Sequence, residues 1–134
     1  MNRWKKPLLT ALMIALPFSF SYAKESEEDW YRLGKEAISA KNWDAYNLYK
    51  HKLSDSSLLP YLEYSYYQAT IKESDPHEIL HFASRYSSEP FSNTLRNLVF
   101  THRSKNRDYR FILDNANYIN SPYLRCYLYE AQME

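Results

Sequence analysis

The clearest pattern in this sequence is a set of apolar residues at helical spacing in its central part. Ile79, Phe82, Ala83 and Tyr86 recur at intervals of three and four, which puts them on one face of an α-helix. The preceding residues 75–78, Asp-Pro-His-Glu, combine an N-cap, a proline at the first helical position and the glutamate of a capping box. These signals together predict an amphipathic helix that begins just after residue 75 and ends near Tyr86.

The same kind of signal recurs along the chain and predicts seven helices joined by short turns. Ser92 is the expected N-cap of the fifth helix, and Ser121 followed by Pro122 opens the seventh. The third helix is apolar around nearly its whole circumference, so we expect it to be buried on most sides. The predicted helices cover about residues 26–40, 43–53, 58–72, 76–86, 92–103, 107–116 and 121–134.

These helices have the lengths and connections that are typical of stacked antiparallel pairs. We expect hairpins over about 24–59, 58–86 and 91–116, followed by a single helix from residue 121. The predicted fold is all-α, a superhelical solenoid of antiparallel helix hairpins over residues 24–134. Because the last helix lacks a partner, we expect the domain to be incomplete at its C-terminal end. The apolar face that would then be partly uncovered carries Tyr123, Leu124, Tyr127 and Leu128.

Residues 1–23 have the three parts of a secretory signal peptide. Three basic residues form the charged start, an apolar stretch follows at 8–18, and Ser-Tyr-Ala at 21–23 offers small residues before a cut after residue 23. A retained transmembrane anchor is the alternative, but the uncharged run 7–23 is at the lower edge of spanning length. We therefore expect an exported domain with no stable membrane anchor after cleavage.

Composition narrows the classes of function further. Three of the 17 basic residues lie in the leader, so 14 remain against 16 acidic residues. This balance argues against a nucleic-acid-binding protein, which carries a concentrated positive field. A single glycine argues against a β-rich or phosphate-loop protein, since such folds need positive φ angles in turns. Cys126 is the only cysteine, so we expect no internal disulfide and a buried, small apolar side chain.

One motif suggests metal chemistry. Residues 77–81, His-Glu-Ile-Leu-His, match the H-E-x-x-H spacing of zinc metalloproteases and put His77 and His81 on one helical face. That face lies opposite the apolar residues, hence on the solvent side, and Glu78 is already the expected capping-box residue. A catalytic zinc also needs a third protein ligand, for which a distant residue such as His102 stays open. We therefore predict no metal site and no cofactor, with a small zinc peptidase as the least favoured function.

Glu63 stands out as an acidic residue on the largely apolar third helix. It could act as a general acid in a protected site, or it could be paired with tyrosine hydroxyls or with an arginine such as Arg96 or Arg125. We favour pairing, because buried charges in proteins usually have a partner.

The many aromatic residues suggest sugar binding. Exposed tyrosine and tryptophan rings can stack on sugar rings, whereas the same residues at helical spacing also serve packing between helices. Packing is the more common use of such residues. The candidate glycan contacts on the second and third helices are Trp43, Tyr46, Tyr49, Tyr66 and Tyr67.

Several segments resemble the N-terminal superhelical region of the soluble lytic murein transglycosylases. They occur in the order found in that family and at similar spacing, and the similarity covers most of residues 30–134. The Pro-Tyr-Leu-Glu-Tyr and Leu-Arg-Cys-Tyr pieces are the most specific. The segments are 59–64 (LPYLEY), 79–90 (ILHFASRYSSEP) with Leu95-Arg96, 108–113 (DYRFIL) and 124–127 (LRCY).

The resemblance implies a role in the periplasm. Full-length members of the family cleave peptidoglycan between N-acetylmuramic acid and N-acetylglucosamine and leave a 1,6-anhydro ring. In them a long α-helical superhelix forms a ring beside a C-terminal lysozyme-like domain, which carries a catalytic Glu in an E-S-x-x-x-P context and a downstream G-L-M-Q motif. Peptidoglycan, or a catalytic lysozyme-like domain or chain, is therefore the expected partner.

Neither catalytic motif occurs in this sequence. Glu25-Ser26 is followed by Glu27-Glu28-Asp29-Trp30, which departs from the family pattern, so the resemblance assigns no catalytic residue. We therefore expect the scaffold segment of a lytic transglycosylase that cuts no bond by itself. The alternative is a free-standing secreted helical-repeat adaptor that binds protein through the last helix.

Overall fold

The computed structural model describes residues 24–134, and the predicted signal peptide at 1–23 lies outside them. Over the described residues the chain forms α-helices and one 3₁₀ turn, Ala116–Tyr118, and contains no strand. The predicted all-α class is thereby confirmed. None of the helices within 24–134 is both long and apolar enough to cross a lipid bilayer. The α-helices are α1 (Glu27–Ser39), α2 (Trp43–Lys52), α3 (Leu59–Ala69), α4 (Pro76–Arg85), α5 (Pro90–Lys105), α6 (Tyr109–Asp114) and α7 (Pro122–Met133).

Helix starts follow the capping signals of the sequence. α1 has a reciprocal capping box, in which the Asp29 amide donates to Ser26 Oγ at 3.2 Å and the Ser26 amide donates to an Asp29 carboxylate oxygen at 3.1 Å. Asp75 accepts from the His77 amide at 2.9 Å ahead of α4, but the predicted capping box with Glu78 is not formed there. Ser121 accepts from the Leu124 amide at 3.3 Å ahead of α7. These bonds satisfy amide groups that a helix leaves unpaired at its first turn.

The start of α5 differs from the prediction. The helix begins at Pro90, with Glu89 at the N-cap position, rather than after Ser92. Ser92 is fully buried, and its hydroxyl donates to the Ala83 carbonyl of α4 at 2.6 Å. The serine therefore fastens α5 to α4 instead of capping its own helix.

Two apolar clusters hold the helices together. The first core belongs to α1, α2 and α3 and consists of Ala37, Ile38, Tyr46, Leu53 and Leu62. The second core belongs to α4–α7 and is larger. Its buried members are Ile79, Leu80, Phe82, Ala83, Phe91, Leu95, Val99, Phe100, Phe111, Ile112, Leu124 and Ala131.

The pairing of helices is shifted relative to the prediction. α1 packs on α2, α4 on α5, and α6 on α7, while α3 lies against α1 and α5. The predicted hairpin over 58–86 is therefore wrong, because α4 takes α5 as its partner through Ser92 and Phe91. The expectation that the last helix lacks a partner is also wrong, because α7 packs on α6 and α5 and buries Leu124 and Ala131. α3 touches α4 where the Tyr67 and Phe82 rings meet, at 5.1 Å between centroids.

Burial on α3 and α7 also differs from expectation. α3 buries Leu62 and Ser65, but Tyr61 is 41% exposed, so the helix has one buried face rather than burial on most sides. On α7, Leu124 is buried in the second core, whereas Cys126 is exposed. The expectation of a buried cysteine is wrong because two positions along a helix turn a side chain to nearly the opposite face.

Candidate functional site

A groove of about 670 Å³ lies between α2, α3, α4 and the 3₁₀ turn. Most of the side chains that line it carry or can acquire a charge. From here on, "the groove" denotes the surface formed by Lys50, Glu63, Tyr67, His77, Glu78, His81, Arg85 and Tyr118.

One wall of the groove holds an ion pair. Lys50 Nζ lies 2.9 Å from a Glu63 carboxylate oxygen, and the Glu63 side chain is only 13% exposed. Pairing of Glu63 was expected, but its partner is Lys50 of α2 and not a tyrosine hydroxyl, Arg96 or Arg125. Burial raises the pKa of the neighbouring Tyr67, and the carboxylates of Glu63 and Glu78 raise it further.

The opposite wall is the outer face of α4. His77, His81 and Arg85 follow each other at intervals of four residues, so they form a row along the helix, and all three are exposed. Arg85 lies over the rings of Phe82 and Tyr86 at 5.7 and 5.5 Å, which holds its guanidinium beside the groove. The prediction that the histidines face solvent is confirmed.

The H-E-x-x-H motif does not assemble a ligand set. Over residues 24–134, the structure brings no three His, Cys, Asp or Glu side chains into a group that could hold a metal ion. The His77 ring instead packs against Phe111 of α6, 5.1 Å between centroids. Glu78 lies on the wall of the groove, where its carboxylate contributes charge.

Next to the groove lies a hollow of about 470 Å³ that shares Glu78 with it. Its apolar part is formed by the exposed edge of an aromatic cluster, defined as Trp43, Tyr46, Tyr66 and Tyr67. Within this cluster Tyr66 stacks on Tyr46 at 4.7 Å and meets Trp43 edge-on at 5.6 Å. "The hollow" denotes the surface formed by Lys41, Trp43, Tyr66, Ala69, Thr70, Glu73, Ser74, Asp75 and Glu78.

The five candidate glycan contacts fall in different places. Trp43, at 38% exposed, and Tyr66 line the hollow, and Tyr67 lines the groove. Tyr46 is only 3% exposed and offers no free ring face, so its assignment as a glycan contact is wrong. Tyr49 lies away from both cavities, with Lys52 Nζ 5.6 Å from its ring, and belongs to the packing of α2.

Arg96 was expected only as a possible partner of Glu63, and the structure gives it a different environment. Its side chain is 6% exposed, donates to the Ala83 carbonyl at 3.4 Å and to Asn93 Oδ1 at 3.2 Å, and has no carboxylate partner among residues 24–134. Burial lowers the pKa of Arg96, and a negative charge on nearby Tyr118 would oppose that effect. A buried cation therefore lies behind the Tyr118 end of the groove.

Comparison of the chain with protein-family models, with curated proteins and with solved structures gave no match in any of the three. The site is therefore interpreted from its own residues.

Proposed function

We propose that this protein is an exported, superhelical α-helical scaffold that binds peptidoglycan glycan strands and does not cut them. This is the role expected of the N-terminal region of a periplasmic soluble lytic murein transglycosylase, which the sequence resembles. In such an assembly the scaffold lies beside the strand, and a lysozyme-like domain or chain performs the cleavage.

The observation that carries the proposal is the aromatic cluster that ends in an open, polar hollow. Trp43 presents an exposed ring there, and Tyr66 behind it is fixed from two sides by other rings. A ring whose orientation is already fixed loses little conformational entropy when a sugar stacks on it. In the same hollow the carboxylates of Glu73 and Asp75 are acceptors for sugar hydroxyls, and the ammonium group of Lys41 is a donor.

The acidic groups of the groove support binding rather than hydrolysis. A retaining or inverting glycosidase uses two carboxyl groups, one of which donates a proton to the leaving oxygen. Glu63 is held in an ion pair by Lys50, at 2.9 Å, and Glu78 is exposed. An ion-paired carboxylate and a solvent-exposed one differ from the enclosed carboxyl pair that a glycosidase places on both sides of the scissile bond.

Cosedimentation with purified sacculi tests the proposal. We expect the protein to cosediment, and we expect Trp43→Ala to weaken binding about fivefold, the effect of losing about 1 kcal/mol of ring stacking. Tyr129→Ala is the matched control, because this ring is 59% exposed on α7, far along the chain from the hollow. Circular dichroism of both variants confirms that they fold.

Two results would contradict the proposal. An equal loss for Trp43→Ala and Tyr129→Ala, or no cosedimentation at all, excludes the hollow as a glycan site. Release of muropeptides from the same sacculi, at a rate comparable with a full-length transglycosylase, excludes the claim that the chain cuts no bond.

The exposed face of α7 favours the second candidate, a protein-binding adaptor. Tyr123, Tyr129 and Met133 are 57%, 59% and 80% exposed, so three large side chains of this helix face solvent. Cys126 is exposed on the same helix and can carry a photo-crosslinker as the single cysteine of the chain. Crosslinks to one protein that disappear in Tyr129→Ser would support the adaptor, whereas absence of protein adducts would exclude it.

A further inference from the structure

We propose that the groove is a binding site for an oxyanion, a carboxylate or a sulfate-like group on a larger molecule. The row His77, His81 and Arg85 would hold it, most strongly when both histidines are protonated. The inference goes beyond the proposed function, because it concerns the charged groove and not the aromatic hollow.

The first argument is the geometry of the row. One side of α4 is fixed in the second core by Ile79, Phe82 and Ala83, so the helix cannot rotate its outer face away from the groove. The three side chains with positive or potentially positive charge therefore point to one surface at one-turn intervals. A linear array of donors of this kind matches a ligand with several acceptor oxygens.

The second argument is the charge balance of the groove. Lys50 and Arg85 are balanced by Glu63 and Glu78, so the groove has no net charge while both histidines are neutral. Histidine is the side chain that changes its charge between about pH 5 and pH 8. Protonation of His77 and His81 leaves the groove with a net charge of +2. The charge state of the two histidines therefore determines how strongly the groove attracts an anion.

The third argument is that the other groups facing α4 cancel only part of this charge. Asp75, whose Oδ1 accepts from the His77 amide at 2.9 Å, places one further carboxylate at the start of the row. Tyr67 and Tyr118 face the groove as neutral phenols, and Arg96 of α5 is a buried cation behind Tyr118. On the far side of His77, Phe111 separates it from Arg103 and Asp108, which form their own ion pair at 3.2 Å.

The size of the groove indicates what kind of molecule carries the oxyanion. At about 670 Å³ the groove is far larger than a single sulfate or carboxylate and lies within the range of small-molecule sites. The groove therefore has room for a larger molecule whose anionic group contacts α4.

Titration of the purified protein with sulfate and, separately, with oxalate tests the inference, since both keep two negative charges at about pH 5.5 and pH 7.5. We expect an apparent dissociation constant about tenfold lower at the acidic pH, because two added charges attract the anion. The histidine signals of His77 and His81 in NMR spectra should move on titration, and those of His51 should not. A tighter response to oxalate assigns a carboxylate, and a tighter response to sulfate assigns a tetrahedral anion.

Variants distinguish the contribution of the two histidines, whose charge depends on pH, from that of Arg85, whose charge is permanent. His77→Gln with His81→Gln should abolish the pH dependence, whereas the matched control His51→Gln, at an exposed position of α2 outside the groove, should keep it. Arg85→Gln should weaken binding about equally at both pH values. The inference is overturned if the natural protein binds equally well at both pH values, if the pH dependence survives in the double variant, or if His51→Gln removes it. An adventitious response, with no movement of the His77 and His81 signals, overturns it too.

The outcome is separable from that of the proposed function. Loss of sacculus binding in Trp43→Ala tests the hollow. If the hollow and the groove are distinct sites, the same variant should bind sulfate as the natural protein does.

Discussion

The two cores of this protein differ in the aromatic residues that they bury. The aromatic residue buried in the first core is Tyr46, whose ring leads through Tyr66 to exposed Trp43. The second core buries Phe82, Phe91, Phe100 and Phe111, which have no polar atom to bring to the surface. The aromatic residues of the first core therefore lead to the hollow, which we propose as a recognition surface, whereas the phenylalanines of the second core serve packing.

The difference suggests that some helices contribute mainly to stability and others mainly to binding. The hollow lies against the helices of the first core, and the groove lies where the two cores meet. The second core fixes α4, and α4 in turn presents its charged row to the groove. Stability should therefore depend most on α4–α7, and binding most on α2, α3 and the outer face of α4.

The largest effect that tests this comparison is expected at Phe100. Phe100→Ala removes a ring that is completely buried in the second core, and it should lower the free energy of unfolding by about 3–5 kcal/mol. The control Leu48→Ala, at a position 51% exposed on α2, should change it by less than about 0.5 kcal/mol. Urea unfolding followed by circular dichroism measures both, and similar values would contradict the role assigned to the second core.

A smaller effect is expected at the tight contact between α1 and α3. A Cβ atom at Gly34 would lie 2.9 Å from both δ carbons of Leu62, which is fully buried. Gly34→Ala gains about 1 kcal/mol of helix propensity but forces this contact apart, so we expect a net loss of about 1 kcal/mol. In a Leu62→Ala background the same substitution should become stabilising, because the obstructing atoms are gone. A loss of equal size in both backgrounds would show that Leu62 is not the cause.

The sequence predicted the local features of this fold well. The starts of α4 and α7 followed from Asp75 with Pro76 and Ser121 with Pro122, because a cap and a proline act on the residues next to them. The outward orientation of His77 followed from helical spacing in the same way.

Contacts between helices could not be predicted from such local signals. Ser92 has the sequence appearance of a cap, but its hydroxyl bonds Ala83, nine residues away, and this contact belongs to the pairing of α4 with α5. The partner of Glu63 is likewise Lys50 on another helix. Residue type and helical spacing do not distinguish a buried tyrosine from an exposed one, so the burial of Tyr46 could not be predicted either. These features depend on which helix packs on which.

A smaller effect on stability is expected at the Lys50–Glu63 ion pair, which lies on one wall of the groove. Lys50→Met removes the partner of a carboxylate whose side chain is 13% exposed, so we expect a loss of about 0.5–1 kcal/mol in urea unfolding. Arg110→Met is the matched control, because its pair with Asp114 spans 3.7 Å and its side chain is 91% exposed. The control should cost nothing measurable. An equal cost for both variants would mean that the partial burial of Glu63 has no energetic weight.

The smallest expected effect is at the outer end of the first core, where α1 begins. The Ser26 amide and hydroxyl donate to the Asp29 carboxylate and lower its pKa in the folded protein. Because the folded pKa is below the unfolded one, the stabilisation is present above the unfolded pKa and is lost as the pH falls through the folded pKa. The thermal midpoint of the natural protein should therefore exceed that of Asp29→Asn at about pH 5, and the gap should close towards about pH 3. Melting curves followed by circular dichroism across this range test the sign, and a gap that widens on acidification would mean that the capping box does not favour the ionised Asp29.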